Sequence, residues 1–148
     1  MIDKNIGSIK IGNVDGQIYS GLTKNEFINS NMYNEVFNQD NNTYTNYYLK
    51  PQNIGDCKFS IVVIFDPNNR IFMVKLRMLI DEKIPSWSDW TEENELDMKK
   101  RHDKWLEDNI GNPPYNYSWG KISSSYDPRS VSSVITFTYK KQRDFLHF

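Results

Sequence analysis

An uninterrupted apolar run, Ile61-Val62-Val63-Ile64-Phe65, leads straight into Asp66-Pro67-Asn68-Asn69 and then into a stretch that alternates in polarity. This succession commits the middle of the chain to a β-hairpin. Pro67 presets the first central φ of a tight turn, and Asp and Asn side chains bond the backbone of such turns. The first strand is expected over 57–65, as a central strand buried on both faces. The second is expected over 70–79, with Phe72, Val74, Leu76 and Met78 on one side and Ile71, Met73, Lys75 and Arg77 on the other.

Two helices are marked. Thr23 followed three residues later by Glu26 has the spacing of a capping box, and Leu22 and Phe27 are placed for a hydrophobic staple, so a short helix is expected to end near 29–31. A long helix is expected to begin after Ser88 or Thr91 and to end near Asn109, stopped by Gly111 and by Pro113-Pro114. Asp89, Glu92, Glu93 and Glu95 suit its first turn as solvated acids, with Lys99, Lys100, Arg101 and Lys104 further along, an order that complements the helix dipole. Met98, His102, Trp105 and Leu106 share one stripe.

Further strand signals lie at 43–49, stopped by Pro51, and in a second hairpin, 117–125 with 133–139, that turns through Asp127-Pro128. Residues 8–12 suit a short edge strand, 38–42 a polar turn, and the tail 140–148 is expected to dock on the body. The expected fold is α+β: a mostly antiparallel sheet of about five or six strands with one short and one long helix packed on it, in a single domain over 1–148.

With 18 basic and 19 acidic residues the net charge is -1, without the electrostatic footprint of a general nucleic-acid binder. No segment has a secretory or membrane-spanning pattern, so a cytoplasmic location is expected, and the single cysteine, Cys57, fits a reducing compartment. An aromatic content of 14% argues for a folded chain rather than a disordered one.

No catalytic, metal or cofactor signature stands out. His102 and Asp103 are neighbours on a helix and point roughly 100° apart, which separates them as a base and its orienting carboxylate. The packing reading of His102, at the boundary of helix and sheet, is preferred. Neither His102 nor His147 has ligand partners at metal spacing, and Cys57 reads as a small apolar residue. The serines at 123–125 and 130–133 suit exposed strand and turn positions. No cofactor is expected.

The four tryptophans, Trp87, Trp90, Trp105 and Trp119, all fall in or beside the long helix and its proline exit. Such a cluster forms either an aromatic core or a recognition surface. In the second case Trp87, Asp89, Trp90, Glu93, Arg101 and Trp119 are the candidate partner contacts.

The segment Gly21-Leu22-Thr23-Lys24-Asn25-Glu26-Phe27, with the strands after it, resembles the opening of small bacterial α+β domains of the β-lactamase-inhibitor-protein-like type. The second half, with Trp87-Ser88-Asp89-Trp90, His102-Asp103-Lys104-Trp105-Leu106 and Tyr117-Ser118-Trp119-Gly120, looks like small cytoplasmic bacterial proteins found beside secreted polymorphic toxins. That resemblance implies an immunity or inhibitor protein that binds and blocks a toxin or enzyme partner. Two alternatives stay open: a small hydrolase or ligand-binding enzyme with a Trp-lined pocket using Asp89, Glu93 or His102, and a homo-oligomeric structural protein, for instance a homodimer.

Overall fold

The computed structural model of the chain describes residues 1–12, 14–80 and 90–141. Three short strands, β1 (Ile2–Asp3), β2 (Ser8–Ile11) and β3 (Gly16–Ile18), form a small sheet, followed by α1 (Lys24–Ile28) and a 3-10 turn at Asn31–Glu35. Then come β4 (Val36–Asn41), β5 (Thr45–Ile54), β6 (Cys57–Phe65), β7 (Ile71–Leu79), α2 (Glu92–Ile110), β8 (Tyr115–Tyr117), β9 (Gly120–Asp127) and β10 (Ser132–Tyr139). The second sheet is antiparallel with strand order β4-β5-β6-β7-β10-β9-β8, so the architecture is α+β.

The expected local chemistry is present at the helix starts. Thr23 accepts the Glu26 amide at 3.1 Å, and the Glu26 carboxylate accepts the Thr23 amide at 3.0 Å, a reciprocal capping box. Thr91 caps α2 through the Asn94 amide, fixing the start of the long helix at the second of the two expected positions. Both hairpins turn alike. Asp66 Oδ1 accepts the Asn68 amide at 2.8 Å, and Asp127 Oδ1 accepts the Arg129 amide at 2.9 Å, so each Asp preceding Pro closes an Asx turn.

Alternation along the strands builds one dry face. Tyr47, Val63, Val74, Phe137 and Ile122 line up across five strands, as do Leu49, Ile61, Leu76 and Ile135, and all are buried. Phe27 of α1 packs against Tyr47 and Phe65 with ring centroids 5.0 and 5.5 Å away, and Trp105 of α2 lies 4.6 Å from Phe59. Ile9, Ile11 and Ile18 of the small sheet join the same core.

Several expectations change. The polar stretch at 38–42 is mostly edge strand β4, which lacks alternation because nearly all of it is exposed. Pro51 does not stop β5: it falls at a register shift between Leu49 and Gln52, where its missing N–H costs no ladder bond. The β2 strand lies in the middle of its small sheet rather than at an edge. A register shift near Phe65 buries Ile71 and leaves Phe72 half-exposed against Tyr44. Strand β6 is buried on one face from Phe59 to Phe65, while Val62 on the other is half-exposed. The main sheet has seven strands rather than five or six, because β4 forms from the stretch expected as a turn and β8 forms from the residues just after Pro113-Pro114. Trp87, Asp89 and most of the expected docking tail lie outside the described residues.

The N-terminal segment is fastened to distant parts of the chain. Trp119 Nε1 donates to the Lys4 carbonyl at 2.7 Å, Tyr139 Oη donates to the Gly7 carbonyl at 2.8 Å, and Lys4 Nζ donates to the Ile110 carbonyl at 3.3 Å. The last bond supplies a cation at the C-terminal end of α2, whose own last turn holds no basic residue. Gly7 has φ 67° and lies against the Trp119 indole, so an added Cβ would overlap the ring. Gly55 has φ 62° with open space around it. Gly7→Ala is therefore expected to cost roughly 2–4 kcal/mol from backbone strain plus overlap, and Gly55→Ala about 1 kcal/mol from strain alone. Urea unfolding of the two variants checks this, with the larger midpoint loss expected at Gly7.

Candidate functional site

The polar residues of α2 meet the sheet where two strands part. Strands β7 and β10 pair from Met73↔Thr138 to Leu76↔Ile135. Continuing that register would set Met78 opposite Ser133, yet the ladder ends at Leu76. Side chains take over the freed backbone groups. His102 Nε2 accepts the Met78 amide at 3.0 Å, and Glu95 Oε1 accepts the Ser133 amide at 3.0 Å. Arg77 Nη1 donates to the Ser133 carbonyl at 3.3 Å, and the Ser133 hydroxyl donates to the Glu95 carbonyl. Arg77 and Glu95 form a two-pronged ion pair, with Nη2 to Oε2 at 2.7 Å.

Burial sets the electrostatics. His102 is fully buried, and burial followed by the nearby Arg77 charge lowers its pKa to about 4. The imidazole is thus neutral near pH 7; because Nε2 accepts a hydrogen bond, its proton sits on Nδ1. Burial pushes the Glu95 carboxyl up, but the hydrogen bonds and charge of Arg77 outweigh it and hold the group below its ordinary value. Glu95, expected as a solvated acid of the first turn, is instead buried in this seam; Glu92 and Glu93 are exposed as expected.

The described tryptophans, Trp90, Trp105 and Trp119, lie in three separate settings. Trp90 is 40% exposed, its Nε1 donates to the Val131 carbonyl at 2.8 Å, and its ring lies 5.2 Å from the Arg77 guanidinium carbon. It secures a turn in which the β-branched Val131 has φ 50°, a strained left-handed conformation. Trp105 and Trp119 are buried. Trp119 stacks on Tyr117 at 5.2 Å and holds the N-terminal segment, so its ring is packed into the core. Glu93 and Arg101 are exposed on α2, and Asp89 and Trp87 lie outside the described residues. His102 packs at the helix-to-sheet boundary, and Cys57 is half-buried beside the core. Among the described residues no group of His, Cys, Asp and Glu is placed to hold a metal ion, and no helix is long and apolar enough to cross a membrane.

Both helices and the small sheet pack on the dry face. The other face carries two cross-strand rows, Tyr48-Val62-Lys75-Thr136-Ser123 and Asn46-Ile64-Met73-Thr138-Lys121. Apart from Ile64 these side chains are half-buried or exposed. Antiparallel sheets tolerate water on one face, but here that face sets Val62 opposite Tyr48 and Ile64 opposite Met73, with a Tyr44–Phe72 ring pair at one end.

No family model, curated protein or solved structure matches the chain.

Sequence reasoning missed Arg77, Ser133 and the open face. The alternation of β7 places Lys75 and Arg77 on one side, which is the signal available for that face; nothing in the sequence sets Ser133 apart from the serines around it.

Two predictions test the seam. Arg77→Met leaves the Glu95 carboxylate buried without its cation and is expected to cost about 3–5 kcal/mol, whereas Arg77→Met with Glu95→Leu recovers part of that loss; urea unfolding of both variants measures it. His102 contributes stability that is complete above its ordinary value of 6.5 and is lost as pH falls toward its native value of about 4, because the unfolded chain takes up the proton first. The loss is expected to be roughly 3 kcal/mol. His102→Gln, whose Oε1 can accept the Met78 amide without titrating, should flatten that part of a pH series of unfolding free energies.

Proposed function

We propose that this chain is a non-catalytic protein-binding module, of the immunity or inhibitor kind, and that its contact surface is the open face of the main sheet. The observation that carries the reading is the contrast between the two faces. One is sealed by two helices and a second sheet, while Val62, Met73 and Tyr48 stay accessible beside Ile64 on the other. The placement of the polar groups supports it as well. His102, Glu95, Arg77 and Ser133, which carry the most chemistry in the interior, are engaged in closing the sheet. A rigid strand surface also presents side chains at fixed spacing with little ordering cost on binding.

The test uses the tagged chain in lysate of its own source. Wild type is expected to retain one protein in stoichiometric amount, Val62→Glu with Met73→Glu to lose it, and Glu93→Lys with Arg101→Glu on α2 to keep it. Loss through the α2 variant alone would move the contact surface to the helix. Retention of no stoichiometric protein by folded wild type would remove the reading.

A further inference from the structure

The open face is charged asymmetrically. Lys75 is exposed in the middle of it, on β7 between Val62 of β6 and Thr136 of β10. Lys58, Lys121 and Lys140 follow the same alternation around it, and Lys121 and Lys140 border a depression of about 300 Å³ beside Thr138. None of these four lysines takes part in an ion pair among the described residues. Two acids are aligned with this face: Asp40, which accepts the Tyr48 hydroxyl at 2.8 Å, and Asp127, whose charge Arg129 faces at 3.6 Å. Among the described residues, these four lysines outnumber the two acids, Asp40 and Asp127, on this face, in a chain whose net charge is -1.

From this we infer, resting on the binding reading above, that the open face takes an acidic protein surface whose carboxylates surround an apolar centre. Any partner that covers Val62 and Met73 also removes Lys75 from water. Burying an ammonium without a counter-charge is costly, so the partner must bring a carboxylate to it. A second copy docked face to face fails that requirement, because it would bring lysine toward lysine. A nucleic acid fits less well. The Tyr48 hydroxyl is bonded to Asp40 and the Tyr44 and Phe72 rings pack on one another rather than standing free to stack on bases, and Asp40 and Asp127 on the same face repel a polyanion. The exposed lysines also steer an acidic partner into place before contact.

Amide chemical-shift titration of the isotope-labelled full chain tests this with three probes: a short peptide alternating Glu and Leu, its Lys and Leu counterpart, and a single-stranded DNA oligonucleotide. The Glu peptide is expected to shift amides around Val62, Lys75 and Thr136, to weaken with added salt, and to bind roughly tenfold more weakly to a K75E/K121E variant with an intact core spectrum. Equal or stronger shifts of the same amides by the Lys peptide would overturn the charge inference and leave the binding surface standing. Shifts by neither peptide would overturn both. Stronger shifts by the DNA would overturn the inference in favour of a nucleic acid.

Discussion

Strands β7 and β10 lose their shared ladder beyond Leu76 and Ile135, and one helix supplies the bonds that the ladder would have made. Each buried backbone group left unpaired there would cost about 1–3 kcal/mol. His102 and Glu95 therefore act as surrogate strand, and α2 is bound to the sheet by polar geometry as well as by Met98, Trp105 and Leu106. Apolar packing alone would let a helix slide or rotate, since it has little directional preference. Hydrogen bonds from the Met78 amide to His102 and from the Ser133 amide to Glu95 fix both its register and its rotation. Arg77 completes the arrangement by neutralising the carboxylate that the sheet would otherwise have to bury.

What the sequence made legible is what depends on neighbours in the chain. The capping box of Thr23 and Glu26, the Asx turns of Asp66 and Asp127, the stop at Gly111 and the stripe of α2 are short-range, and each has one dominant physical solution. The β4 strand escaped notice because an exposed edge imposes no polarity pattern, and Pro51 misled because a register shift removed its usual penalty. The burial of Glu95 was hidden for a related reason. Its position in the first turn satisfies the dipole whether or not Arg77, from a different strand, reaches it. The open face was half visible: alternation puts Lys75 and Arg77 on one side, but only the strand order places Val62 and Thr136 beside Lys75.

The two faces of the sheet divide the work. One face holds the structure together, with helix, small sheet and aromatic rings crowded over Tyr47, Val63 and Phe137. The other is relieved of that duty, so its composition is set by water and by whatever it meets. Ser, Thr and Lys face water there, with Val62 and Met73 half-exposed among them. Because the core and the open face share the same strands, substitutions on the open side that preserve strand propensity need not disturb the packing beneath.

The fastening of the first residues carries a kinetic consequence. Lys4 bonds Ile110 and receives a bond from Trp119, and Gly7 receives one from Tyr139, contacts that span more than a hundred residues of chain. During synthesis the small N-terminal sheet can meet β5, where the Gly12 amide donates to the Asn53 carbonyl at 2.8 Å, but the bonds of Lys4 and Gly7 form only after α2 and the last strands have emerged. Early hairpins such as β6–β7 can form locally, but closure of the molecule is a late, long-range event, and proteins rich in such contacts fold slowly.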